Sequence, residues 1–320
     1  MLLQTQIPLK KQADNQIDYS SKLILIGSCF SENIGDKLSY YQFQTIVNPF
    51  GILFHPKAIE KLIIDVINNK TYSEKDVFFN NEQWHSFNAH SSLSNANKET
   101  LLTTLNTTIS KTNQQLKEAT HVVITLGTSW VYKHITSNTV VANCHKVPQK
   151  EFSKEILSVD DISKSLEKIV SILKTTNPNI SVVFTVSPVR HTKDGFIENM
   201  QSKSHLISGI HQFLASTSLN QQNNYYFPSY EIMMDELRDY RFYSEDMIHP
   251  NQTAINYIWD KFSSNWITDK AIKTMDKVAT IQKGLAHKPF NPTSEQHLKF
   301  LKKLSIKKET LLKSFPFMKF

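Results

Sequence analysis

Apolar positions along this chain fall into two alternating kinds of run. Residues 23–26, 121–126 and 181–186 are short, continuous, β-branched-rich apolar segments, the pattern of parallel strands buried on both faces. Between them, Ala58, Leu62, Ile63, Val66 and Ile67 recur at helical spacing behind His55-Pro56, with the proline suited to a first helical turn. The same periodicity predicts helices over 97–116, 162–173 and 197–214, and a further helix over 251–266 begun by Pro250. Shorter strands are expected at 43–47 and 225–227. Ser31 is placed as the N-cap of the helix after the first strand. The aromatic-rich segment 72–92 reads as a loop or short hairpin, and 130–132 with 139–142 reads as a hairpin inserted around Thr136-Ser137-Asn138. This β-α order predicts an α/β fold over residues 1–267: a doubly wound, mostly parallel sheet in a flavodoxin-like three-layer arrangement. Residues 268–320 are helical in pattern, rich in lysine and broken by Pro289, Pro292 and Pro316. They are expected to form a basic helical C-terminal extension.

Composition narrows the partners. A chain of 320 residues with 40% apolar and 20% charged positions has room for one such domain and an appendage. Net charge is +7, but the excess is concentrated at 299–319, where Glu309 is the single acid. That stretch reads as a solvated basic face, or as a weak binder of anionic surfaces. Met1-Leu2-Leu3 gives way at once to polar residues, and the longest apolar runs fall far short of the ~20 residues that span a bilayer, so no transmembrane segment and a cytoplasmic location are expected. Cys29 and Cys144 are then expected to be reduced thiols. No glycine-rich phosphate loop and no interleaving of basic and aromatic residues point to nucleotide or nucleic acid. His85, His90, Cys144 and His145 lack the compact spacing of a metal site, so neither metal nor cofactor is expected.

Open parallel sheets bind ligands at the carboxyl ends of their strands, where loops and helix N-termini converge. The residues there are Gly27-Ser28-Cys29, Asn48-Pro49-Phe50-Gly51, Gly127-Thr128-Ser129 and Ser187-Pro188-Val189-Arg190. Three of only seven glycines, Gly27, Gly51 and Gly127, fall at these ends. The three arginines, Arg190, Arg238 and Arg241, lie near them or just before Asp246-Met247-Ile248-His249-Pro250. Arg238 and Arg241 sit among acids and read as structural ion pairs; Arg190 reads as a binding group. Asp246 and His249, three residues apart, suit a carboxylate that fixes an imidazole tautomer, although a helix cap would need the same spacing.

These strand-end blocks, with Asp246 and His249 before the last helix, resemble the SGNH/GDSL hydrolase layout, while Trp84-His85-Ser86, Asn143-Cys144-His145-Lys146, Ser187-Pro188-Val189-Arg190-His191 and the run from Tyr226 through Arg238 to His249-Pro250 resemble a narrower family within it. More narrowly, Gly27-Ser28-Cys29-Phe30-Ser31 resembles the signature of the GSCFA family, with Ser31 in place of its final alanine. The resemblance covers roughly residues 20–265. It implies an SGNH-like hydrolase acting on an ester or other acyl bond of a small molecule or glycan. Aligning Gly27 with the glycine of Gly-Asp-Ser puts Cys29 at the nucleophile, with Ser28 the alternative. His249 is then the base, Asp246 its orienter, and the amides of Cys29 and Gly51 the oxyanion donors. A thiol at a helix N-terminus beside His249 is expected to have a lowered pKa. The superfamily's Gly-x-Asn-Asp is here Gly127-Thr128-Ser129-Trp130, so Thr128, Ser129 or Asn48 would replace the asparagine. His191, Asn199, Ser202 and His205 resemble family positions and read either as pocket lining or as a solvated polar helix face, and Trp84 and His85 read either as substrate contacts or as core residues of the aromatic loop. Carbohydrate O-acyl transfer or deacetylation, and a non-catalytic binding protein on the same fold, are the alternatives.

Overall fold

In the computed structural model, which describes residues 4–216 and 222–320, the first apolar run forms β1 (Lys22–Gly27). It passes directly into α1 (Cys29–Tyr40), capped by Ser28 rather than Ser31: the Ser28 hydroxyl accepts from Phe30 N–H at 3.2 Å. β2 (Gln44–Val47) leads to α2 (Pro56–Ile67), whose N-cap is the His55 ring. The segment 72–92 holds a small hairpin, β3 (Phe78–Asn80) and β4 (Gln83–His85). α3 (Lys98–Glu118) then delivers the chain to β5 (His121–Leu126).

The inserted hairpin is a three-stranded antiparallel sheet, with β6 (Trp130–His134) between β7 (Thr139–Val141) and β8 (Phe152–Ile156). β8 escapes the sequence pattern because Phe152-Ser153-Lys154-Glu155-Ile156 buries only its phenylalanine fully. α4 (Val159–Thr176), β9 (Ser181–Val186), α5 (Phe196–Ala215) and β10 (Asn224–Phe227) follow. A short α6 (Ser229–Glu231) runs into one π-helical turn, and α7 (Gln252–Trp266) is capped by Asn251, not begun by Pro250. α8 (Asp269–Ala286) and α9 (Glu295–Ser314) complete the chain.

The central sheet has the order β10-β9-β5-β1-β2 with every pairing parallel. This is the doubly wound flavodoxin-like order, with its switch point between β1 and β5. Strand residues alternate between two cores, as a period of two requires. Ile24, Ile26, Val122, Ile124, Val182 and Phe184 face α2, α3, α4 and α5, while Leu23, Leu25, Val123, Val183 and Phe227 face α1, α7 and α8. α8 belongs to that second core through Ala271, Met275, Val278 and Ile281, whereas α9 buries only Leu304 and Leu311. Among the described residues no helix is long and apolar enough to cross a membrane.

Candidate active site

The carboxyl ends of β1, β5 and β9 meet at one edge of the sheet. Gly27 is required there, because at φ +146° its backbone lies so close to β5 that a Cβ would stand 2.1 Å from Thr125 O. The Gly27 N–H donates to Asn48 Oδ1 at 2.9 Å and the Ser28 N–H to Thr125 O at 3.0 Å. This locks the β1 turn to the neighbouring strand ends. Ser28 is buried and spends its hydroxyl as the α1 cap. Cys29 is half-buried at the first position of α1, and its own N–H, with that of Phe30, reaches the thiol. The expected lowering of its pKa is not what the surroundings produce. Burial pushes the thiol up and Glu32 adds to this, against the opposing pull of Lys203 and the two N–H groups.

Asp246 and His249 form the expected pair. His249 Nδ1 lies 2.6 Å from Asp246 Oδ2, while Asp246 Oδ1 accepts from the Ile248 and His249 amides, each at 2.9 Å. Those bonds, the His249 amide first, hold the carboxyl down to about 2. Asp246 does not cap α7; Asn251 does, accepting from Thr253 and Ala254.

The other candidates divide. The Gly51 N–H donates to Asn48 O at 2.7 Å, closing its own turn, so it is not free to hold an oxyanion. Thr128 and Ser129 are tied to α5: Thr128 Oγ1 sits 2.9 Å from Ser202 Oγ, which accepts from the Ser129 amide at 2.7 Å. Asn48 keeps its amide nitrogen 3.5 Å from Glu32. Trp84 and His85 lie in the β3–β4 hairpin, where both His85 nitrogens are used, 2.6 Å from Ser94 Oγ and 2.9 Å from Asn80 O. His205 reaches Leu157 O at 2.8 Å and braces α5 against the end of β8. Arg238 and Arg241 form the exposed ion pairs expected of them, with Asp235 and Asp239. Arg190 instead turns inward and reaches Met234 Sδ at 3.2 Å.

His191 sits where these pieces meet. A Cβ on Gly127 would come within 2.9 Å of its Nε2, and its amide donates to Asn199 Oδ1 at 2.8 Å. Burial, with Lys203 and then His249 nearby, holds its ring neutral, down to about 3. Among the described residues His191 Nε2 and Asn199 Nδ2 are buried without a hydrogen-bond partner. His191 also lines a cleft of about 570 Å³ walled by Phe54, Trp130, Tyr132 and Phe152 and rimmed by Lys154 and Asp194. Gly127 carries no side chain because His191 and Phe54 fill that space.

One residue escaped the motif reading. Lys203 on α5 is fully buried, and its ammonium donates to Gly127 O at 2.7 Å and Ser187 O at 2.8 Å, the first carbonyls beyond β5 and β9. Burial pushes the amine down to about 7, opposed by Cys29 and aided by Arg190. Its signal was in the periodicity: Asn199, Lys203, Leu206, Ile210 and Phe213 form the inward stripe of α5.

Fold and site together define a doubly wound three-layer α/β protein with a His–Asp pair and a helix-capping Gly-Ser-Cys turn at the carboxyl edge of its sheet. The GSCFA family profile matches residues 22–262, and that of the GSCFA domain protein, C-terminal domain, matches 278–320. The chain belongs to the GSCFA family. No curated protein matches it. Among solved structures it is similar to a carbohydrate esterase family 3 from Talaromyces cellulolyticus, at 10% identity and TM-score 0.36 over 80% of this chain and 98% of that one. It is also similar to a mutant acetyl esterase with acetate ion, at 10% identity and TM-score 0.35 over 81% and 99%. Neither likeness, at these scores, speaks to chemistry.

Proposed function

We propose that this protein cleaves or transfers an acyl group with Cys29 as nucleophile, His249 as general base and then acid, and Asp246 as orienter. The observation that carries the reading is the Asp246–His249 bond of 2.6 Å, with the carboxylate also held by two backbone amides. It fixes the proton on Nδ1 and leaves Nε2 to accept one. His249 Nε2 takes the Cys29 proton as sulfur attacks the acyl carbonyl. The tetrahedral oxygen is held by the Cys29 N–H, at the open N-terminal turn of α1, and by the Asn48 side-chain amide. The leaving alkoxide takes the proton back from His249, and water or a second hydroxyl then opens the thioester. A raised thiol suits this order, because Cys29 stays protonated until a base removes the proton. The aromatic walls of the adjoining cleft favour an acyl ester on a flat, hydroxylated body such as a sugar.

A second reading, a binding protein that retains the fold, is favoured by the Gly51 amide being spent in its own turn. The two are separated by hydrolysis of p-nitrophenyl acetate and of an acetylated sugar, with and without a hydroxylated acceptor. Loss of turnover in both Cys29→Ala and His249→Ala supports catalysis. Turnover indifferent to both substitutions, or absent throughout, leaves the binding protein.

A further inference from the structure

A lysine with no exposed surface is costly, and its place in the fold shows what offsets that cost. Lys203 reaches from the inward stripe of α5 to the carboxyl edge of the sheet, where its ammonium is held by Gly127 O and Ser187 O. Three N–H groups leave one donor over, and among the described residues it has no acceptor. The strands place Cys29 beside it. Gly27 pairs with Thr125 across β1 and β5 and the Ser28 N–H donates to Thr125 O, so Cys29 and Gly127 follow the ends of adjacent strands. The Cys29 and Lys203 charges accordingly act on one another in both directions. Other groups around this amine are Arg190 and His191 after β9, the Tyr230 ring on α6 at 5.5 Å, and Glu32, which acts on Cys29 from α1.

We propose, resting on the Cys29 reading above, that Lys203 is a positioning residue for the nucleophile: in its ammonium form it is the counter-charge that holds the Cys29 thiolate once the proton has left. A backbone brace between two strand ends requires only the two carbonyl bonds. A thiolate partner requires the positive charge itself, which opposes Glu32 and the penalty of burial.

The test reads the thiol rather than turnover. In the Cys144→Ala background, which leaves one cysteine, alkylation of Cys29 by iodoacetamide is followed against pH. Lys203→Met is expected to move the midpoint upward by about one pH unit or more, roughly a tenfold loss of thiolate near neutrality. An unchanged midpoint in folded Lys203→Met overturns the proposal. Should that variant not fold, the Lys203 amine is titrated by nitrogen-15 NMR in the otherwise intact chain. Cys29→Ala removes the anion and is expected to lower the lysine midpoint; no change again overturns the pairing. A shifted alkylation midpoint in a protein that hydrolyses nothing would keep the pairing while sinking the acyl-transfer reading.

Discussion

At the scale of single residues, Ser28 and Cys29 are adjacent yet have opposite employment. The serine hydroxyl is buried in a cap and the thiol is half-exposed above the same helix turn. Ser28→Ala is therefore expected to cost about 1 kcal/mol of stability, the usual worth of an N-cap, and to leave thiol labelling intact. Cys29→Ala is expected to abolish labelling and hydrolysis with little change in the denaturation midpoint. Asp246→Asn should lower the rate by about 10²–10⁴, as loss of a tautomer-fixing carboxylate does. Because Asp246 is held down to about 2, its carboxylate is present at every pH above that. The Asp246–His249 spacing was readable in the chain because both residues lie on one short loop. Lys203 was not, because its partners are carbonyls that only the assembled sheet brings together.

At the scale of elements, two junctions carry the site. Gly27 lets β1 turn into α1 against β5, and a Cβ there would collide with backbone rather than with a movable side chain. Gly27→Ala is expected to destabilise by about 3 kcal/mol or more, seen as a lowered urea midpoint. The α2 junction depends on a neutral histidine. His55 Nδ1 accepts from Ala58 N–H at 3.1 Å and Nε2 donates to Val141 O at 3.0 Å, and burial holds its pKa down to about 4. The unfolded chain binds that proton near pH 6.5, so the stabilisation is complete above 6.5 and is lost as pH falls through about 4. Between pH 7 and 4 wild type is expected to lose about 1–3 kcal/mol more than His55→Asn, measured by denaturant unfolding at each pH. Elements with strong periodicity, such as β5, β9 and α2, were legible to within a residue or two. β8 and the Ser28 cap were not, since one is half-solvated and the other is decided by the close approach of Gly27 to Thr125.

At the scale of the molecule, the two faces of the sheet are closed differently. One is covered by α2 through α5, and the other is completed by α1, α7 and a helix from the C-terminal region, α8, whose Val278 has no exposed surface. Val278→Asp buries an unpaired carboxylate and is expected to cost several kcal/mol, on the order of 3–5, with cooperative loss of the Cys29 site in the same transition. Retention of thiol labelling after the α8 signal has melted would refute that coupling. The chain by itself determined the alternation of strands and helices, the parallel sheet, the strand ends where chemistry collects, and the Asp246–His249 pair. These follow from periodicity and local spacing, which are properties of neighbours along the chain. Only the tertiary structure decided that Gly51 spends its amide within its own turn, that Thr128 and Ser129 face α5, that the Cys29 thiol is raised rather than lowered, and that a buried lysine stands beside it. Each depends on burial and on partners brought together from distant parts of the chain, and desolvation is set by the whole fold.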